Sequence, residues 1–216
     1  MDDNERIVDN VFDYAGNEAI AEEAREVGRS RGLRPPVVSA GIDLLMNFAR
    51  RGEVGRAETL VKEVAEEAAQ TRGWHGWLWE LRLEEAHAEI ALARGDWQAA
   101  LHWTAATMLH SQMKHRPKYE TLGLWTRGQA LAARGRTSEA IRDLRRAIDL
   151  ARPLGDPALF PRPATALLAI EGDDVLLAQA CASVKTILAG LPDEDMRRRF
   201  REAEPVQCLA RSGNLA

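Results

Sequence analysis

Residues 119–151 read YETLGLWTRGQALAARGRTSEAIRDLRRAIDLA, and this stretch decides the fold. Leu122, Trp125, Leu131 and Ala132 recur at three- and four-residue spacing before Gly135-Arg136, and Ala140, Ile141, Leu144, Ala147 and Ile148 do so after it. That spacing puts the apolar side chains on one face of each of two helices, and the Gly-centred break lets the second fold back on the first. Thr137 and Ser138 are the available N-caps of the second helix, and Gly155-Asp156-Pro157 closes the unit.

Outward from this unit the same turn recurs. Gly16-Asn17, Gly52-Glu53, Gly95-Asp96, Gly135-Arg136 and Gly172-Asp173 lie 36, 43, 40 and 37 residues apart. A period near 40 marks a stacked array in which each unit buries its apolar face on its neighbours. The expected units are hairpins at about 5–32, 36–70, 76–114, 119–151 and 160–189, followed by a capping helix at about 193–203 and a fraying tail at 208–216. Runs of alternating Val, Ile, Thr and Tyr that would signal strands are missing.

The pattern Leu124-x3-Gly128-x2-Leu131-x3-Gly135-x4-Ala140-x3-Leu144-x2-Ala147 resembles the tetratricopeptide repeat, where small residues let the two helices of a hairpin come close. Its small position in the first helix is filled by Leu45, Ala88, Gly128 and Thr165, and in the second by Ala57, Ala100, Ala140 and Leu177. The resemblance covers roughly residues 36–190, with periods longer than usual, as in the extended repeats of bacterial signalling ATPases and nucleotide-cyclase-linked regulators. It implies an all-α, right-handed superhelical solenoid of about five hairpins whose concave groove binds a protein segment.

By position in the repeat, Ile42, Glu85, Trp125 and Arg162 point from first helices into that groove, with Met46, Glu89, Gln129 and Ala166 one turn on and Ser39, Arg82, Leu122 and Leu159 nearer the helix starts. Trp125 is then the anchor, with Arg82, Glu85, Glu89 and Arg162 orienting a segment of mixed charge. The Lys, Asn and Arg clamp by which some family members hold a C-terminal carboxylate is replaced here by other residues. Five of the six Trp lie between 74 and 103, and Trp77, Trp97 and Trp103 read as core.

The chain has 216 residues, is 45% hydrophobic and carries a net charge of -4. Nine acids against three arginines in the first 30 residues leave the rest near neutral, which disfavours binding to a phosphate backbone. The basic run Arg197-Arg198-Arg199-Phe200-Arg201 follows three acids, as a helix dipole prefers. No apolar run approaches a membrane span and the acidic N-terminus is unlike a signal peptide, so the chain is expected to be cytoplasmic.

Neither a metal site nor a cofactor is expected. Cys181 and Cys208 lack CxxC or His spacing, and His75, His87, His102, His110 and His115 never stand i, i+4. Gly28-Arg29-Ser30-Arg31-Gly32 matches a nucleophile elbow in letters but ends a helix and leads to Pro35. Glu85 and Glu89 could be read as an acid and base, yet no second activated group accompanies them. The expectation is a non-enzymatic interaction module with a protein or peptide partner, or alternatively a small-ligand sensor domain, with a homodimer through one solenoid end as a further possibility.

Overall fold

The structure is a computed structural model that describes residues 12–71, 73 and 76–212. Every regular element among them is helical. The order is α1 (Tyr14–Ser30), α2 (Arg34–Arg50), α3 (Val54–Gln70), α4 (Gly76–Arg94), α5 (Trp97–Met113), α6 (Pro117–Ala133), α7 (Thr137–Ala151), a 3-10 turn (Arg152–Leu154), α8 (Pro161–Leu168), α9 (Asp174–Gly190), α10 (Glu194–Glu202) and α11 (Glu204–Ser212). None of these helices is long and apolar enough to cross a membrane.

Helix ends follow from turn chemistry. Gly32, Gly52, Gly95 and Gly135 adopt positive φ after α1, α2, α4 and α6. In each case the next residue's N–H reaches back five residues, as in Glu53 to Phe48 O (2.8 Å) and Arg136 to Leu131 O (2.9 Å), which satisfies carbonyls that the helix leaves open. His115 does the same after α5 at φ 53, a conformation that burdens any side chain with a β-carbon. Arg116 N then bonds Ser111 O at 2.8 Å.

Two of the expected turns behave differently. Gly16-Asn17 sits inside the first turn of α1, because Asp13 caps that helix by accepting from Gly16 N at 3.0 Å. The described part of the first hairpin is therefore one helix, and positions 5–11 lie outside the described residues. Gly172 lacks positive φ, and Asp173 starts α9 by accepting from Leu176 N. At the C-terminus residues 208–212 continue a helix where a frayed tail was expected, and 213–216 lie outside the described residues. Pro205 stands at a helix start, where its missing N–H is harmless, and Val206 and Leu209 of α11 are buried. Nor do Thr137 and Ser138 cap α7; Arg136 occupies that position without a side-chain cap.

First helices touch in succession, α2 on α4, α4 on α6 and α6 on α8, while α3, α5 and α7 each pack on their own partner and on the next first helix. Ala57, Ala100 and Ala140, at the small position of the second helices, are fully buried. The close approach in the α2/α3 hairpin comes one turn before Leu45: a Cβ on Gly41 would stand 2.8 Å from Val64 Cγ2. In α6 a Cβ on Gly128 would meet Leu144 Cγ at 2.7 Å, with Ala140 contributing its carbonyl at 3.5 Å. The expected Gly128–Ala140 partnership is thus chiefly Gly128 against Leu144. Trp77, Trp97 and Trp103 are half-buried and Trp79 is the buried one. Trp77 has the Arg116 guanidinium 4.9 Å from its ring centre. Trp74 and His75 lie outside the described residues.

Candidate functional site

The inner row of first helices is joined by polar side chains that the repeat period brings level with one another. Arg82 of α4 reaches back to α2, donating to Ser39 Oγ at 2.8 Å and pairing with Asp43. Arg50 of α2 reaches forward and grips Glu89 with Nε at 2.6 Å and an amino group at 2.7 Å, and also approaches the Met46 sulfur. Thr126 of α6 donates to Glu85 Oε1 at 3.0 Å. Arg82, Glu85, Glu89 and Met46 are therefore buried between adjacent repeats rather than laid open to a groove. Glu85 and Glu89 have separate partners, so they do not form an acid–base couple.

Burial, reinforced by the nearby Glu89 charge, pushes the Glu85 carboxyl up to about 8, against the opposing hydrogen bond from Thr126. Among the described residues its Oε2 has no hydrogen-bond partner, and neither do Asn17 Oδ1, Asn47 Oδ1 and Gln129 Nε2. His87 stacks on Trp103 with ring centres 4.4 Å apart, and burial lowers its pKa. Glu84 accepts from His110 across α4 and α5, and burial raises its pKa.

Trp125 and Arg162 come together as the count from the turn glycines implies. The Arg162 guanidinium lies 5.4 Å from the Trp125 ring centre and 4.7 Å from that of Phe12. Phe12 precedes the first described helix and no repeat signal marks it, yet it is 3% exposed. It stacks on Phe200 of α10 at 5.7 Å and 9°. Asp13, 2% exposed, accepts from Arg199 Nε at 2.8 Å, and Asn47 of α2 donates to Tyr14 O. Residues 12–14 thus make contacts from α2 to α8 and α10. The positions of Trp125 and Arg162 were legible in the sequence; the contacts of Phe12 and Asp13 were not, because a contact spanning 186 positions leaves no periodic trace.

Beside this stack a cavity of about 420 Å³ opens between α6, α8 and α11, lined by Trp125, Gln129, Arg162, Glu204, Leu209 and Arg211 among others. The basic run of α10 is engaged: Arg197 donates to Leu191 O at 2.6 Å, Arg201 to Glu194 at 2.8 Å and Arg198 to Asp195 at 3.2 Å. Ser30 of the elbow-like pentad donates only to Val27 O, in the last turn of α1. Among the described residues no group of His, Cys, Asp or Glu is arranged to hold a metal ion.

No family model matches the chain, and no curated protein matches it. Among solved structures, the crystal structure of a de novo designed helical repeat protein is similar, at 17% identity over 94% of this chain and 98% of that one, with a TM-score of 0.35. A TM-score this low supports nothing further. The helical-repeat fold is evident in the chain's own stacked hairpins.

Proposed function

We propose that the chain is a non-catalytic interaction module, a right-handed tetratricopeptide-like solenoid whose concave face grips a protein segment as part of a bacterial signalling or transcriptional regulator. One observation carries this reading. Residues 12 and 13 are already held by side chains of α8 and α10, with Phe12 against Arg162 and Phe200 and Asp13 on Arg199. An aromatic ring followed by a carboxylate is the partner chemistry that this arrangement fits, through cation–π contact, stacking and a charged hydrogen bond. The partner segment displaces residues 12–14 and brings Trp125 into its own contact. The resemblance to extended repeats of signalling regulators supports the wider role.

The test uses the acetylated peptide Asn-Val-Phe-Asp-Tyr, the sequence of residues 10–14, titrated in trans. In the parent, the tethered segment competes at an effective concentration of about 1 mM, so Phe12→Ala should bind the peptide at least roughly tenfold more tightly. Adding Trp125→Ala to Phe12→Ala should weaken binding by about 2 kcal/mol, roughly thirtyfold, with circular dichroism still helical. If the opened chain ignores the peptide, or Trp125→Ala acts only by unfolding, the reading fails.

A further inference from the structure

The cavity between α6, α8 and α11 has its own unmet chemistry. Arg162, 7% exposed, lines it and donates no hydrogen bond among the described residues; its contacts are the faces of Phe12 and Trp125. A guanidinium this buried without an anion is costly to hold, and its fork of donors suits a carboxylate. Glu85, whose charge would act on Arg162, does not neutralise it, since burial keeps Glu85 protonated at neutral pH. Gln129 lines the same cavity, and its Nε2, closed off from the cavity space in this side-chain orientation, has no acceptor among the described residues.

The rest of the wall divides by polarity. Trp125, Ala166 and Leu209 provide an apolar surface, while Arg211 adds a second cation. Among the described residues Glu204 is the one carboxylate lining the cavity, and it accepts from the Cys208 thiol at 3.0 Å. A volume of about 420 Å³ lies within the range that holds small organic ligands.

We infer that this cavity binds a small organic carboxylate with an apolar body, its carboxylate on Arg162, its body against Trp125 and Leu209, and the Gln129 amide turned so that Nε2 donates to an oxygen. Phe12 does not line the cavity, so the inference does not rest on segment binding. The site gives the module a small-molecule input next to its segment-binding face.

Calorimetric titration of the full chain at neutral pH with 3-phenylpropionate tests this, with 3-phenylpropanol and phenethylamine as uncharged and cationic analogues of similar shape. The carboxylate should bind with a Kd of about 1 mM or tighter, and both analogues at least roughly tenfold more weakly. Arg162→Met should abolish binding. Because that change also removes the cation over Phe12, Gln129→Leu provides a second variant: it deletes an unsatisfied buried donor, should melt like the parent, and should weaken the carboxylate roughly fivefold or more. Absence of saturable binding, equal binding of the alcohol or amine, or undiminished binding to Gln129→Leu would each overturn the inference.

Discussion

Glu85 holds its proton at neutral pH because the neighbouring helices remove its solvent and place Glu89 close by, which outweighs the hydrogen bond from Thr126 and the charges of Arg50 and Arg162. The consequence for stability has a definite sign. Below the ordinary value of 4.5 the folded and unfolded chains both keep this proton, so the group is neutral in its effect. Between 4.5 and about 8 the unfolded chain ionises while the folded chain does not, so stability falls as pH rises through that window. Glu85→Gln imitates the protonated acid and retains an oxygen for Thr126. The variant should flatten this part of the pH profile and exceed the parent by at least about 1 kcal/mol at pH 8. Urea unfolding across the pH range measures it; parallel profiles for the two chains would show that Glu85 ionises in the folded state.

At the level of helices, Gly128 sets the distance between α6 and α7. A Cβ there would press on Leu144, itself fully buried and unable to swing aside. Gly128→Leu should therefore cost roughly 1 to 3 kcal/mol in denaturant unfolding, despite the better helix propensity of Leu. A melt equal to the parent would mean that the helices separate freely. The hairpins from α2 to α7 were legible because their turns use Gly at positive φ, a requirement visible in the letters. Gly16 misled for a physical reason: Asp13 followed by Gly at the third position reads equally as a turn or a capped helix start. His115 ends α5 in the conformation usually left to Gly, so the α5/α6 turn gives no residue-type signal. The inner-row residues were placed correctly along the helices. Their burial was hidden because Arg50 and Asp43, the partners that cover Glu89 and Arg82, sit outside the counted groove positions.

Across the whole molecule, the two ends of the array meet. Phe12 on Phe200 and Asp13 on Arg199 add a link between units far apart in sequence, whereas stacked repeats ordinarily couple only to their neighbours. Phe12→Ala removes about 3 to 5 kcal/mol of packing at that junction. Equilibrium unfolding followed by tryptophan fluorescence and by helix ellipticity should coincide in the parent and separate in Phe12→Ala, since each repeat is then free to melt on its own. Coincident curves in the variant would show that the junction does not govern cooperativity. The same contact has a consequence in time. A contact spanning 186 positions closes one of the longest loops in the array, so it is expected to form only after the intervening helices stack, past the rate-limiting barrier. Its loss falls on the unfolding limb of the chevron. In stopped-flow experiments Arg199→Ala should unfold faster while refolding at the parental rate, so the junction works as a latch that sets how long the folded array lasts rather than how quickly it assembles.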